Sequence, residues 1–484
     1  MILLQAPLLL IYLQEVFKAE LSFSTFKSSG TSTGKICTLG TVLSILAPAL
    51  ATKSPDCGGI LSPSGLSYLA EVSKQHAETI LVQDLMAPRV SDLLLGSPKP
   101  IRKQIDSVKV VDLSLSLMPD DRLRLSIDAD LRITTSPSTS KVVRLSILAD
   151  LHVERNPEGN LELTASACKP IMEEMQSTEE TESKSPSLEV DKEVDINKIC
   201  LEVSKLLILP NERLASLTAQ FPVTPSCQLQ YLPLAAPMIS EQGITVSLQT
   251  AFLVAGMALP LPISPTPFTM PEAASTGPSH LTLALSEHYY TSLFFAMERV
   301  GAFNMTISSP LTTATMAQKI TQIGSLFQED LPVMLTVMFR SSPRVALEEG
   351  KATLKLFLTV HAGVGSSAFQ NFLSMSVDMS AGLLLSVTDV KMMISAAVIE
   401  DMELSLAASD VGPMPAALLE KLFLSTIREE MLAQMNAVLS EGIYLPHVSN
   451  FIYTDVNVII HKDYVLIPCN LKLQPKTGGK IMVG

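Results

Sequence analysis

Alternation of apolar and polar residues is the strongest pattern in this chain, and it is concentrated in residues 108–209. Residues 143–153 and 161–163 alternate in this way, with a turn at residues 156–160 between them. The clearest run places six apolar residues at every second position: Leu123, Leu125, Ile127, Ala129, Leu131 and Ile133. Because side chains on a strand point alternately to its two faces, these runs predict an antiparallel sheet with one buried face.

Apolar residues at helical spacing predict the helices that cover this sheet. Ser62-Pro63-Ser64 has the capping chemistry that begins a helix. The stripe that follows contains Leu66, Leu69, Ala70, Ala77, Ile80 and Leu81. A second run with helical spacing contains Ile196, Ile199, Val203, Leu206 and Leu207. We interpret the sheet and these two helices as a wrapper around something apolar.

The second half of the chain repeats this inventory. The pattern predicts strands at residues 244–259, 333–339, 352–361, 372–387, 390–406 and 451–473. It predicts helices at residues 285–300 and 415–439, the longer of which carries Leu424, Ile427, Met431, Met435 and Val438 at 3-4-4-3 spacing. The fold class is therefore α+β, with two similar halves that each pack long helices on a twisted antiparallel sheet.

A chain of 484 residues predicts two or three domains. We divide it into a leader at residues 1–51, an N-terminal domain at 52–220, a proline-rich connector that reaches a central sheet at 221–243, and a C-terminal domain at 244–484. In the leader, Lys35, a short apolar core and Ala49-Leu50-Ala51 form the layout of a secretory signal, and residues before 35 are interpreted as an upstream extension. No later apolar run is long enough to span a membrane, so a secreted protein is expected.

Removal of this leader takes Cys37 with it and leaves five cysteines. In an oxidising compartment most of them should pair. Cys168 and Cys200 are the first choice, because they bracket a polar, acidic insert at residues 173–198 that can fold back. Cys227 and Cys469 form a possible second pair, and Cys57 is either free or competes for one of these partners.

Composition and motifs argue against catalysis and against several partners. The net charge of −13 excludes general attraction to nucleic acid or to anionic membranes, and only Lys99, Arg102 and Lys103 form a local basic loop. The seven histidines show no metal-ligand spacing, and neither a Gly-x-Ser-x-Gly elbow nor a phosphate loop is present. We therefore expect no enzyme, no metal and no cofactor. Asn304-Met305-Thr306 is a candidate site of N-glycosylation.

Several segments resemble the family of bactericidal/permeability-increasing protein and lipopolysaccharide-binding protein over about residues 56–473. They are Gly65-Leu66-Ser67-Tyr68-Leu69, the Cys168 and Cys200 pair around a sheet and helix, Gly442-Ile443-Tyr444-Leu445-Pro446, and Asp463-Tyr464-Val465-Leu466-Ile467. Residues 54–60 and 454–458 look most like an egg-white member of that family. The resemblance implies a boomerang of two barrel-and-helix domains around a central sheet, with a disulfide between Cys168 and Cys200.

The resemblance also implies an apolar pocket in each domain for the acyl chains of a phospholipid-like ligand, secretion, and a role in innate antibacterial defence. Endotoxin-binding members have a strongly basic tip, which this acidic chain lacks. We predict lipid-lining residues at Leu66, Leu69, Ile80, Leu81, Val203 and Leu207 in the first half, and at Leu424, Ile427, Met431 and Met435 in the second. For each of these residues, ordinary core packing is the simpler interpretation.

The principal hypothesis is thus a secreted lipid-binding protein serving defence in an extracellular fluid such as egg white. One alternative is a protein that recognises bacterial surface components through its exterior. Another is an abundant structural or storage constituent that has no specific ligand.

Overall fold

The computed structural model describes residues 54–86, 104–119, 121–136, 139–174, 199–200, 203–209, 211–261, 266–271, 278–365 and 368–474. The predicted leader, the basic loop with Lys99, Arg102 and Lys103, and residues 175–198 of the acidic insert lie outside these ranges.

The described residues form strands, α-helices and two 3₁₀ helices. The strands are β1 Cys57–Leu61, β2 Gln104–Met118, β3 Arg122–Ser136, β4 Thr139–Arg155, β5 Leu161–Glu174, β6 Gln220–Thr224, β7 Cys227–Pro233, β8 Met238–Ser240, β9 Gly243–Val254, β10 Met257–Ala258, β11 Leu281–Ser286, β12 Met305–Thr312, β13 Pro332–Glu348, β14 Lys351–Val364, β15 Gln370–Thr388, β16 Lys391–Ser409, β17 Ile443–Tyr444, β18 Phe451–Thr454, β19 Ile459–His461 and β20 Tyr464–Leu473. The helices are α1 Pro63–Met86, α2 Asn211–Leu214, α3 Glu287–Arg299, α4 Thr313–Ala317, α5 Thr321–Leu326 and α6 Ala416–Leu439, with 3₁₀ helices at Val203–Leu206 and Ala215–Thr218.

The alternating runs of the first half form a four-stranded antiparallel sheet in the order β2-β3-β4-β5. The six apolar residues of β3 are at most 3% exposed, and α1 packs against β2. The opposite face carries ion pairs between neighbouring strands, such as Arg124 Nε with Asp150 Oδ1 and Arg144 Nε with Asp130 Oδ1, both at 2.9 Å. The period-two prediction of one apolar and one wet face is confirmed.

The second half contains a six-stranded sheet in the order β12-β13-β14-β15-β16-β17. Its long strands β15 and β16 contain 19 residues each and carry several register shifts, which are typical of a strongly twisted sheet. α6 packs on β16 and α3 packs on β13, so the helices cover the buried face. The predicted α+β class with antiparallel sheets in both halves is confirmed.

A central antiparallel sheet joins strands from both ends of the chain in the order β18-β20-β11-β1-β9-β7-β6, with β8, β10 and β19 paired at its margins. The proline-rich residues 221–243 contribute β6, β7 and β8 to this sheet. Pro222 is tolerated because β6 is an edge strand, where a missing backbone donor does not break the ladder.

Two predicted helices differ in the structure. The helix expected at residues 285–300 begins at Glu287, because β11 continues to Ser286, whose Oγ then caps the helix by accepting from Tyr289 N at 3.2 Å. In the helical run around Val203 and Leu206, residues 199–200 are α-helical and Val203–Leu206 form a 3₁₀ helix. Pro210 follows closely in the sequence, and the residue before a proline disfavours helical geometry.

The disulfide between Cys168 on β5 and Cys200 is formed, with a Cα–Cα distance of 5.6 Å. Cys57, Cys227 and Cys469 are free and buried, so the second pair that we considered is wrong. Cys227 pairs with Val254 on β9. Cys469 pairs with β11, which pairs with β1, which pairs with β9, and this register places Cys469 in line with Ile244 on β9. Ten residues along a strand span roughly 33 Å, whereas a disulfide needs Cα atoms within about 7 Å of each other.

Candidate ligand-binding cavity

A cavity of about 190 Å³ lies between α1, the four-stranded sheet and the central sheet. Its floor comes from β1, β9 and β11 of the central sheet, and its walls come from β2 to β5 and from residues on either side of α2. Its main apolar lining residues are Leu61, Leu66, Leu69, Leu115, Leu123, Leu163, Leu207, Ile244, Val246, Leu283, Phe451 and Leu471. No charged side chain is among the described residues that line it.

The sequence at the start of α1 explains how this helix reaches the cavity. Gly65 N donates to Ser62 Oγ at 3.1 Å, and Ser62 Oγ donates to the carbonyl of Ser279 at 2.7 Å, which ties the cap to the strand segment before β11. A Cβ atom at Gly65 would lie 2.2 Å from the His280 carbonyl oxygen. Only glycine therefore permits this close approach, which places Leu66 and Leu69 against the cavity.

Three polar side chains line the cavity, and each is held by the protein. Ser73 Oγ donates to Leu69 O at 2.6 Å and accepts from Ile208 N at 3.0 Å. The Tyr453 hydroxyl donates to the Pro446 carbonyl, and His447 Nδ1 contacts Leu445 O at 2.9 Å. Burial of His447 lowers its pKa, so the imidazole is neutral near pH 7.

Three of the predicted first-half residues line the cavity, namely Leu66, Leu69 and Leu207. Ile80, Leu81 and Val203 belong instead to the hydrophobic core beneath the four-stranded sheet. The floor and the segment 446–453 were missed, because they come from the far end of the chain. The closing motif Gly442-Ile443-Tyr444-Leu445-Pro446 was the available signal, since its last residue lines the cavity.

No cavity opens at the predicted second-half site among the described residues. Ile427, Met431 and Met435 are at most 1% exposed, and Leu424 packs against the same core. Phe303 and Phe339 fill the space beside the two methionines, which leaves a volume of about 0 Å³ for a ligand. The structure therefore shows no space for a ligand beside Met431 and Met435, and the lipid-lining role of Leu424, Ile427, Met431 and Met435 stays a prediction.

The candidate glycosylation site lies at the start of an edge strand. Asn304 and Thr306 are both exposed, and Met305 between them is buried. We predict that Asn304 carries a glycan when the protein is produced by secreting eukaryotic cells. Peptide N-glycosidase should then increase its electrophoretic mobility. Thr306→Ser should keep this shift and Thr306→Ala should abolish it, whereas a shift that survives Thr306→Ala would contradict the assignment.

The described residues contain neither a candidate metal-binding group nor a candidate membrane-spanning helix. Within the described ranges, no group of three or more His, Cys, Asp and Glu side chains could hold a metal ion. Among the helices that the structure describes, none combines the length and the apolar character needed to cross a membrane.

Comparison with known proteins places the chain in a family. The N-terminal domain model of the LBP/BPI/CETP family matches residues 65–185, and the C-terminal domain model of the same family matches residues 225–473. The chain therefore belongs to the LBP/BPI/CETP family, and the resemblance drawn from its sequence is confirmed.

Individual relatives cover nearly the whole chain. Protein TENP of Gallus gallus is 61% identical over 437 residues, which is 90% of this chain and 99% of that protein. BPI fold-containing family B member 2 of Homo sapiens is 28% identical, over 90% of this chain and 98% of that protein. A crystal structure of lipopolysaccharide binding protein matches with a TM-score of 0.49 and 17% identity, over 87% of this chain and 100% of that one.

Proposed function

We propose that this protein is a secreted lipid-binding protein that holds an apolar ligand in the cavity beneath α1 and has no catalytic role. The observation that carries this proposal is a cavity of about 190 Å³ without any charged side chain in its described lining. An engineered cavity of about 150 Å³ with apolar walls stays dry and takes up benzene, so a space of this kind favours hydrocarbon over water.

The free energy of binding would come from transfer of hydrocarbon out of water. Each buried methylene contributes about 0.8 kcal/mol before the cost of ordering the chain. The lining consists mainly of leucine, isoleucine and valine from several separate elements, so a bound chain would contact α1 and two sheets together. Membership of the LBP/BPI/CETP family supports this proposal. We propose in addition that lipid binding serves antibacterial defence in an extracellular fluid such as egg white.

Two leucines on the same strand provide a matched test of the cavity. Leu115 and Leu117 are both half-buried, and they lie on one face of β2, but only Leu115 lines the cavity. The probe is 1-aminoanthracene, which is fluorescent, apolar and uncharged, in contrast to 1-anilinonaphthalene-8-sulfonate. Leu115→Trp should weaken its binding by about fivefold or more, since the indole occupies ligand volume. Leu117→Trp should leave the affinity for the probe unchanged.

Each variant contains the only tryptophan of its chain, so indole emission during urea unfolding checks that both variants are folded. The proposal is wrong if the wild-type protein binds no apolar probe. It is also wrong if the Leu115 and Leu117 variants lose affinity equally, because binding would then lie elsewhere. Lipid extraction of the protein purified from its natural source, followed by mass spectrometry, identifies the native ligand.

A further inference from the structure

Each polar side chain of the cavity already donates its proton within the protein, so each can only accept a hydrogen bond from a ligand. The Ser73 hydroxyl proton is given to Leu69 O, and the Tyr453 hydroxyl proton is given to Pro446 O. His447 Nδ1 faces the Leu445 carbonyl, which can only accept, so Nδ1 carries the proton of the neutral ring. Its Nε2 is therefore an acceptor.

His447 lines the cavity, so its Nε2 is the candidate hydrogen-bond partner of a ligand. It has no hydrogen-bond partner among the described residues. Tyr290 Oη is the single fully buried side-chain oxygen or nitrogen without a partner in the described part of the chain, so Nε2 of His447 keeps some exposed surface. The rings of Phe221 and Tyr444 lie 5.1 Å and 5.9 Å from that of His447 and hold it in place.

We infer that the cavity selects uncharged, single-chain lipids with a hydroxyl group, whose proton is donated to Nε2 of His447. This inference rests on the proposed function and specifies its ligand class. An ionised carboxylate or phosphate headgroup has only hydrogen-bond acceptors, and the polar side chains of the cavity also offer only acceptors. Such a headgroup would lose its hydrogen bonds to water on binding and would gain none from these side chains. The lowered pKa of His447 agrees, because a neutral ring keeps Nε2 free of a proton.

The size of the cavity supports a single chain. Its 190 Å³ is only slightly larger than the roughly 150 Å³ that holds one benzene molecule. Pockets for larger organic ligands begin at about 300 Å³. A diacyl lipid would therefore have to leave much of its hydrocarbon outside the enclosed space.

Isomeric ligands separate the hydroxyl group from the hydrocarbon. Decanol and methyl nonyl ether have the same atoms, but only the alcohol can donate a hydrogen bond. Isothermal titration of the full-length protein below the solubility limit of each compound should show decanol binding about three- to tenfold more tightly, which is the range expected for one hydrogen bond. Decanoate near pH 8 should bind more weakly than decanol.

Variants at His447 test the assignment of the acceptor. His447→Phe keeps a ring beside Phe221 and Tyr444 but removes Nε2, so it should bind the two isomers with equal affinity. His447→Gln supplies a carbonyl acceptor and should restore part of the preference for decanol.

Each outcome has one meaning. If neither isomer binds the wild-type protein, the proposed function fails and this inference falls with it. Equal binding of the two isomers, or tighter binding of decanoate, overturns the hydroxyl preference while lipid binding stands. A preference for decanol that persists in His447→Phe overturns the role of His447.

Discussion

Loss of the disulfide between Cys168 and Cys200 is expected to lower the free energy of unfolding by about 4 kcal/mol. The bridge joins residues 32 positions apart, and the closed loop restricts the unfolded chain far more than the folded one. Urea unfolding followed by circular dichroism, with and without dithiothreitol, measures the difference directly.

The native contacts around the bridge explain why its loss would also affect the ligand site. Cys168 lies opposite Ala149 on β4, so it belongs to the four-stranded sheet. Cys200 begins the segment in which Val203, Leu206 and Leu207 are buried, and Leu207 lines the cavity. Reduction should therefore weaken binding of the apolar probe as well as stability.

A double variant, Cys168→Ser with Cys200→Ser, controls for other effects of the reductant. It should be as unstable as the reduced wild-type protein and should not respond to dithiothreitol, because Cys57, Cys227 and Cys469 are free. If dithiothreitol destabilises the double variant to the same extent, another bridge carries the effect. An unchanged midpoint for the reduced wild-type protein would contradict the prediction itself.

Alternation could predict the long strands because period two leaves a direct record of which face is buried. Residues 123–133 alternate without interruption, and their six apolar residues are at most 3% exposed, whereas in residues 143–153 Leu148 falls on the polar face and is 44% exposed. The sequence also shows where α1 begins, since Ser62 supplies the cap. These are local properties, and each is determined by residues that are close together in the chain.

The cavity could be predicted only in part, because a helical stripe shows that a side chain is covered but does not show what covers it. Leu66 and Ile80 share one stripe of α1, yet they are about 21 Å apart along the helix axis. Leu66 therefore meets the cavity, whereas Ile80 meets the core under the sheet. The difference depends on β1, β9 and β11, which are distant in sequence.

The second half shows the same limit from the opposite side. Its helix α6 has the predicted stripe, and Met431 and Met435 lie on the sheet side as expected. Whether a gap remains beneath them depends on Phe303 and Phe339, which come from a loop and from a different strand. A pattern of apolar positions specifies a buried face and carries no information about the volume left empty.

Asp56 should make the stability of this protein fall as the pH rises. The carboxyl group is 2% exposed, and burial raises its pKa from 3.8 to about 6, although hydrogen bonds from Thr250 oppose the shift. A group whose pKa is higher in the folded state stabilises the fold fully below its unfolded pKa, and this contribution disappears as the pH rises through the folded value. From about pH 4.5 to about pH 8 the contribution lost is about 2 kcal/mol.

The Asp56→Asn variant isolates this effect from every other titrating group. Its amide can still accept from Thr250 N, which lies 2.9 Å from Asp56 Oδ1, and it carries no charge at any pH. The variant should not lose this contribution. Its free energy of unfolding minus that of the wild type should therefore increase by about 2 kcal/mol between about pH 4.5 and about pH 8. A difference between the two proteins that does not change with pH would show that Asp56 titrates normally.

Thr250→Val tests whether the hydrogen bond from the Thr250 hydroxyl lowers the pKa of Asp56. The variant keeps the backbone donor to Asp56 but loses the hydroxyl donor, which favours the ionised carboxylate. The pKa of Asp56 should then rise further, and the loss of stability should move to higher pH. A shift towards lower pH would mean that the hydroxyl accepts from a protonated Asp56 in the wild-type protein, so that burial alone would not account for the raised pKa.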